Sequence, residues 1–420
     1  MYWLSAIAVV VVAYCFYRYV RTLGTGFAFA EIIAIIAVMQ WLLGPVIAFY
    51  VGDPDPKHRM YVSEQRYMSF AVPAVSLFVM GLFWYAPNRK FSESIISLQA
   101  RLVRSKGAGI VLIALGLLLD FAAGYLPSSL GFVMFLVAQF KYIGVLYLLM
   151  GGHRYRWVAL FLVLILSVWT SAESGLFHNL ILWGAFIFSY IAYILRMSNK
   201  MKVSIMVLGL LAMAAIQTVK AEYRVAAEYY SGNRVALLLD LIFDPDSYDQ
   251  YDSAAEYFAN LNIRMNQGWI ISAVLQNVPQ MAAHANGETI LAAVSDSLVP
   301  RIMVDKRGAN VSENFQKYTG LPLAQNTSMG ISVLGEAYVN FATLGGIVFM
   351  GAWGFLLSWV LMLLVKTSVI VPTILLWVPL IFLQTVKAET EMVVVLNHAV
   401  KAGVVVAGFY FGARSIGWKI

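Results

Sequence analysis

Long apolar runs alternate with short polar segments along almost the whole chain. A helix of about 20 apolar residues spans a bilayer, and by that standard the pattern predicts about eleven membrane-spanning helices. The predicted spans are residues 2–17, 27–50, 68–86, 108–125, 129–151, 157–171, 178–195, 203–219, 342–365, 369–386 and 392–412. The expected fold is therefore an all-α polytopic membrane protein.

One long segment, residues 220–341, interrupts this series between the eighth and ninth spans. It divides the chain into an N-terminal bundle of eight spans (1–219), a large loop, and a C-terminal bundle of three spans (342–420). The loop is too apolar to stand off as a soluble domain. We expect it to be partly helical and to pack as a lid on the ends of the spans.

Helix signals inside the large loop support this expectation. Ser253-Ala-Ala-Glu256 has the form of a capping box. It predicts an amphipathic helix that lies on the bilayer or over the mouth of the bundle and is ended by Pro279. Shorter apolar helices are predicted at residues 233–243 and 289–299.

Composition agrees with a membrane protein, because the chain is 61% apolar and only 12% charged, with a mean hydropathy of +0.75. Its net charge of +7 would suit nucleic acid, but the positive-inside rule explains it better. Nucleic acid binding is therefore not expected. A single cysteine, Cys15, cannot form an intramolecular disulfide. Met1 has no basic segment before its apolar run, so no cleavable signal peptide is expected.

The connecting loops separate by charge. The short loops 125–129 and 171–178 contain no Lys or Arg, whereas the loops that alternate with them are basic. Basic loops face the cytoplasm, which places the N-terminus and the large loop outside and the C-terminus inside. In a bacterium, this means the inner membrane with a periplasmic loop.

A short motif occurs twice. Gln217-Thr-Val-Lys220-Ala-Glu222 recurs as Gln384-Thr-Val-Lys387-Ala-Glu389, and both copies lie where a predicted span meets the outer surface. Chance or ordinary interface chemistry explains such a repeat. The alternative is that the two copies place matching Lys and Glu side chains around one site.

The large loop is rich in cations. They are Lys220, Arg224, Arg234, Arg264, Arg301, Lys306, Arg307 and Lys317. Arg offers a bidentate fork to phosphate oxygens and Lys offers a point charge. Cations near the ends of the spans, at the depth of the lipid headgroups, therefore suit a lipid-linked pyrophosphate. The alternative is a set of snorkelling anchors and contacts to anionic headgroups.

Ionisable groups also occur within the predicted spans, where charges are costly and are candidates for function. Lys141 lies in the fifth span and Asp120 near the outer end of the fourth, so the two residues could form a pair. His398 lies in the eleventh span. It is a candidate proton carrier or substrate contact, or else a hydrogen-bonded residue of the bundle.

Two kinds of carboxylate site are candidates. Glu336 enters the ninth span from outside, where a partly desolvated carboxylate could accept a hydroxyl proton or make a structural hydrogen bond to the loop. Asp53-Pro-Asp55 and Asp244-Pro-Asp246 could each hold Mg²⁺ or Mn²⁺, although Asp and Pro are also ordinary turn residues. No zinc-ligand spacing or phosphate-binding glycine loop is present. A metal-independent protein without a nucleotide cofactor is expected.

Three stretches carry a resemblance to a known family. They are Gln217-Thr-Val-Lys220-Ala-Glu-Tyr-Arg224, Pro300-Arg301-Ile-Met-Val-Asp-Lys306, and the run from Thr327-Ser-Met-Gly330 through Gly335-Glu336-Ala-Tyr338-Val-Asn340-Phe341 to Gly345-Gly346. The chain resembles the Wzy-type O-antigen and exopolysaccharide repeat-unit polymerases. These are GT-C-like membrane glycosyltransferases with many spans and one large outer loop late in the sequence.

The resemblance implies a function. Undecaprenyl-pyrophosphate-linked oligosaccharides would be polymerised into O-antigen, capsule or exopolysaccharide at the periplasmic face, among membrane lipids and with a chain-length regulator as a possible partner. The resemblance implies that Arg264, Arg224 and Lys220 stabilise the leaving pyrophosphate and that Glu336 is the base. Further substrate contacts would be Arg301, Lys306, Lys387 and His398. Three alternatives stay open, namely an O-antigen ligase-type glycosyltransferase, a transporter or flippase of lipid-linked oligosaccharide, and a non-catalytic assembly partner.

Overall fold

The computed structural model describes residues 3–52, 56–85, 88–105, 107–122, 125, 131–244, 254–298, 311–324, 327–415 and 417–418, and these residues form helices, turns and loops without a β-strand. The helices of the first half are α1 (Trp3–Thr22), α2 (Phe29–Val51), α3 (Glu64–Leu82), α4 (Asn88–Arg104), α5 (Ala108–Ala122), α6 (Gly131–Met150), α7 (Arg156–Ser174) and α8 (His178–Ile194). Those of the second half are α9 (Asn199–Tyr229), α10 (Arg234–Phe243), α11 (Ala254–Met265), α12 (Gly268–Asn277), α13 (Glu288–Leu298), α14 (Val311–Thr319), α15 (Ser332–Thr367), α16 (Pro372–Ile381) and α17 (Met392–Ser415).

Seven of the described helices are long and apolar enough to cross a membrane, namely α1, α2, α6, α7, α9, α15 and α17. An eighth crossing results if α4 and α5, bent by 84° at their junction, are one broken span. Helices α8 and α16 are apolar but shorter. The protein is therefore an all-α, multi-pass membrane protein, as predicted.

Helices α3 and α15 pack with their backbones in direct contact. A Cβ atom added to Gly354 would lie far inside the van der Waals distance of the Phe78 carbonyl oxygen, and one added to Gly81 would meet the Gly351 carbonyl oxygen. Small residues at such crossings allow close approach where lipid provides no hydrophobic drive for association. The two helices thus form a tightly packed pair in the bundle.

Ion pairs join neighbouring helices within the bundle. Lys141 on α6 contacts Asp120 on α5, with side-chain exposures of 5% and 35%, so the pairing that the sequence left open is present. Arg18 on α1 lies 3.0 Å from the Glu31 carboxylate on α2. Both contacts neutralise charges that would be costly to leave unpaired in a low-dielectric interior.

The large loop differs from its prediction in one main respect. The helix expected from residue 253 to Pro279 is split into α11 and α12, and at the break the Asn266 side chain accepts a hydrogen bond from the Gly268 N–H at 2.8 Å. Residues 268–275 of α12 are all buried. A helix that is apolar on every side belongs in a core, so α12 packs inside the protein rather than on the bilayer surface.

The predicted loop boundaries also fall within helices. Helix α9 continues without a break through Lys220 to Tyr229, so residue 219 does not end a helix. Helix α15 begins at Ser332, ten residues before the predicted span, but it bends at Ala342, whose φ of 55° and ψ of −161° are not helical. The predicted start of the ninth span therefore coincides with this kink.

Candidate functional site

One end of the bundle gathers polar residues around the turn between α7 and α8. The Tyr223 hydroxyl of α9 donates a hydrogen bond to the Ala172 carbonyl at 2.6 Å, and Arg224 Nη2 donates to the Gly175 carbonyl at 3.2 Å. Val219 packs in the same apolar cluster as Phe177. These contacts hold Lys220 and Arg224 of α9 beside His178, the first residue of α8.

The segment between α16 and α17 reaches the same place. Residues 382–391 form turns rather than regular helix, and Glu389 Oε1 lies 3.6 Å from His178 Nε2. Lys220 and Lys387 both lie close enough to interact electrostatically with that imidazole. We call His178, Lys220, Lys387 and Glu389 the His178 cluster. Lys220 of the first copy of the sequence repeat thus lies near Lys387 and Glu389 of the second copy.

The His178 cluster is partly open and carries excess positive charge. The side chains of His178 and Glu389 are 47% and 31% exposed. Burial lowers the pKa of the Lys387 ammonium, and the nearby Glu389 carboxylate partly offsets that effect. Two ammonium groups beside an imidazole and a carboxylate can bind an oxyanion and exchange a proton with a bound molecule.

Glu336 occupies a different, closed environment. Its Oε1 accepts a hydrogen bond from the Thr289 hydroxyl and its Oε2 from the Met392 N–H, both at 2.8 Å. Asn340 extends the network by donating to Thr289 Oγ1 at 2.7 Å. Glu336 is 2% exposed. This geometry matches the alternative of a structural hydrogen bond to the loop, and the role of Glu336 as the base stays a prediction.

Glu391 is buried beside Glu336. Its Oε1 accepts a hydrogen bond from the Ile331 N–H at 2.9 Å, and Asn314 Nδ2 lies 3.5 Å from Oε2. Burial, and then the proximity of the Glu336 carboxylate, raise the pKa of Glu391 to about 8. Two carboxyl groups this close in a protein interior do not both ionise readily, so the pair retains a proton at neutral pH.

His398 lies inside the bundle on α17 and is 1% exposed. Its Nε2–H donates to the Leu380 carbonyl at 2.8 Å, and its ring meets Phe132 edge-on. Its Nδ1 makes no hydrogen bond within the described part of the chain. This arrangement matches a bundle residue that ties α17 to the end of α16, and it does not expose His398 to a ligand.

Several other predicted site residues lie wholly or partly outside the described part of the chain. Arg264 lies on α11, but its side chain falls outside the described part, as do residues Arg301 and Lys306. Asp53, Asp55 and Asp246 are also outside the described residues, whereas Asp244 follows α10 directly. Among the described residues, no group of three or more His, Cys, Asp or Glu side chains could hold a metal ion.

Sequence reasoning passed over His178 and Glu391, and it included Glu389 only as part of the repeated motif. His178 begins a predicted span after a short outer loop without Lys or Arg, which was a usable signal. Glu389 belongs to the second copy of the repeat, and Glu391 follows it by two residues. Their meeting with α8 and α15 depends on contacts between distant parts of the chain, which local patterns do not report.

No protein-family model, curated protein or solved structure matches this chain. The His178 cluster and the Glu336–Glu391 pair are therefore interpreted from their own geometry and chemistry.

Proposed function

We propose that this protein is a membrane glycosyltransferase that polymerises oligosaccharide repeat units carried on undecaprenyl pyrophosphate. The observation that supports the proposal is that Lys220 and Lys387, from distant parts of the sequence, both lie within electrostatic range of His178. A lipid-linked pyrophosphate presents its charge at headgroup depth. Fixed cations at the ends of membrane helices are suited to bind it.

The proposed chemistry needs no nucleotide sugar. A hydroxyl of the acceptor repeat unit attacks the anomeric carbon of the donor glycan, and undecaprenyl pyrophosphate leaves with the bonding electron pair. Negative charge grows on the leaving group in the transition state, so cations that bind it more strongly there accelerate the reaction. Lys220 and Lys387 take this role, with Arg224 and Arg264 as further contacts from α9 and α11.

We also propose a membrane arrangement of eleven GT-C-like spans in the bacterial inner membrane, with the N-terminus periplasmic and the C-terminus cytoplasmic. The alternation of basic loops assigns His178, Lys220 and Lys387 to the same side, and they lie together in the fold. It assigns Arg18 and Glu31 to the other side, and these two residues also contact each other. These contacts in the bundle are thus compatible with the predicted assignment of loops to the two sides of the membrane.

The proposal is tested with purified full-length protein in lipid nanodiscs and a single undecaprenyl-pyrophosphate-linked repeat unit, with EDTA present. We expect a ladder of glycan multiples on a gel. Lys387→Ala and Lys220→Ala should each slow elongation by roughly 10²–10³-fold, the usual effect of removing one fixed donor from a developing anion. Lys366→Ala, in the last turn of α15 at the opposite end, is the matched control and should elongate at the wild-type rate.

Other products would redirect the proposal. Absence of a ladder together with transfer of glycan to lipid A–core would make the protein a ligase. Wild-type elongation in both lysine variants would remove the His178 cluster from the reaction.

Transport of the lipid-linked oligosaccharide is the second candidate, and one feature favours it. Helix α16 is short and is followed by the irregular backbone of residues 382–391, in which Val386 is 1% exposed. Discontinuous helices with buried irregular backbone are typical of substrate sites in transporters. Movement of a fluorescent lipid-linked unit across proteoliposomes, without elongation, would support this function.

A further inference from the structure

His178 lies beside the carboxylate of Glu389. Its Nε2 faces Glu389 Oε1 at 3.6 Å, an ion-pair distance somewhat longer than a hydrogen bond. An N–H at Nε2 directed toward the carboxylate leaves the lone pair of Nδ1 as the acceptor in the neutral ring. With 47% of the side chain exposed, this imidazole can meet a molecule that arrives from outside the bundle.

The carboxylate behind His178 is not consumed by structural hydrogen bonds. Glu389 Oε2 is buried and makes no hydrogen bond within the described residues. Glu336 and Glu391, in contrast, each accept a backbone N–H at a helix start. Glu389 can therefore stabilise a positive charge on His178 as well as on the neighbouring Lys387, whereas the two buried carboxyl groups are engaged in holding helices.

Two other imidazoles of the described residues, His284 and His398, are less suitable. The His284 Nδ1 pairs with the Val339 carbonyl at 3.1 Å, and His398 is buried within the bundle. The charged groups that surround His178 are Lys220 on α9 and Lys387 and Glu389 after α16. Arg224 contacts the preceding turn, and Arg234 pairs with Glu173 there at 3.4 Å. Burial favours the neutral imidazole most strongly and the two lysines act in the same direction, whereas Glu389 favours the imidazolium once it forms.

We propose that His178 is the catalytic base of the glycosyl transfer and that Glu389 is its positioning residue, an inference that rests on the proposed polymerase function. The acceptor O–H bond breaks as its proton passes to Nδ1 of His178, and the oxygen forms the new bond to the anomeric carbon. The bond from that carbon to the pyrophosphate oxygen breaks, and undecaprenyl pyrophosphate leaves between Lys220 and Lys387. The imidazolium, held by Glu389, then releases the proton to water.

The test separates binding from chemistry in the nanodisc elongation assay. His178→Asn should lower the maximal elongation rate by roughly 10²–10⁴-fold, the usual contribution of a general base, while the KM for the lipid-linked unit stays near the wild-type value. Lys387→Ala should instead weaken binding of undecaprenyl pyrophosphate as well as slow elongation. His153→Asn, at the turn between α6 and α7, is the matched control and should match the wild type in both parameters.

A pH profile tests the positioning role independently of any loss of fold. The base works only when neutral, so elongation should fall at acid pH. Removing the negative charge of Glu389 lowers the pKa of its histidine partner, so Glu389→Gln should move this acid limb to lower pH while reducing the maximal rate.

The outcomes distinguish the two proposals. A wild-type ladder with unchanged rate in His178→Asn, or an unmoved acid limb in Glu389→Gln, overturns the inference and leaves the polymerase proposal standing. Absence of a wild-type ladder overturns the polymerase proposal itself.

Discussion

Glu336 and Glu391 accept backbone N–H groups at the starts of α17 and α15, respectively. Glu336, on α15, accepts the backbone N–H of Met392 at the start of α17. Glu391, immediately before α17, accepts the N–H of Ile331 at the start of α15. Unpaired N–H groups at a buried helix start are costly, so this reciprocal arrangement fastens the two helices together.

Glu391→Gln is expected to flatten the pH dependence of stability. Because the folded pKa of Glu391 is about 8 and that of an exposed Glu is roughly 4.3, the folded state holds the proton more tightly than the unfolded state. This stabilisation is complete below the unfolded pKa. It is lost as pH rises toward 8, at up to about 1.4 kcal/mol per pH unit.

Thermal unfolding in detergent from pH 5 to 9 measures this effect. The wild type should lose stability across that range, whereas Glu391→Gln should change far less, because its amide oxygen still accepts the Ile331 N–H. Glu228→Gln, on the exposed face of α9, should follow the wild type. Parallel curves for the wild type and Glu391→Gln would contradict the prediction.

Gly354→Ala should destabilise the contact between α3 and α15. The added methyl group would collide with the backbone of Phe78, which cannot move aside as a flexible side chain can. We expect a loss of about 1–3 kcal/mol in the free energy of unfolding. Gly408→Ala on α17, where an added Cβ meets no atom within 4 Å, is the control and should be neutral. Equal unfolding free energies for the two variants would argue against the close crossing.

The Lys141–Asp120 pair should respond unequally to removal of each partner. Asp120→Asn leaves a 5%-exposed ammonium group without its counter-ion, which should cost about 3–5 kcal/mol. Lys141→Met leaves a carboxylate that is 35% exposed and should therefore cost less. Combining both substitutions should recover most of the loss, and a double-mutant cycle on unfolding midpoints measures this recovery. Additive effects of the two substitutions would show that the pair is not coupled.

Cysteine labelling tests the predicted orientation through a single helix. In a Cys15→Ser background, Tyr230→Cys should react with a membrane-impermeant maleimide in intact cells, because it follows the predicted outer end of α9. Lys200→Cys, near the other end of the same helix, should react only after permeabilisation. The reverse pattern would invert the proposed topology, and labelling of both positions in intact cells would mean that α9 does not cross the membrane.

The hydrophobic pattern and the capping signals of the sequence predict much of the helical structure. Each of the seven helices that are long and apolar enough to cross a membrane lies at a predicted span, and α10 begins after Asn233, whose side chain accepts the N–H groups of Val235 and Ala236. The burial of α12 was not predicted, although its apolar residues on all sides permit it. The meeting of His178 with Glu389 could not be predicted, since it depends on how α8 and the irregular segment before α17 pack in three dimensions.

The length of α9 has a mechanical consequence for the His178 cluster. Its 31 residues extend about 46 Å at 1.5 Å per residue, which exceeds the roughly 30 Å of bilayer hydrocarbon. The candidate span within this helix ends at Lys220, and Arg224 follows one turn later on the same continuous helix. The tilt of α9 sets the position of both side chains relative to the membrane surface. A lipid environment of different thickness would therefore raise or lower both charges together.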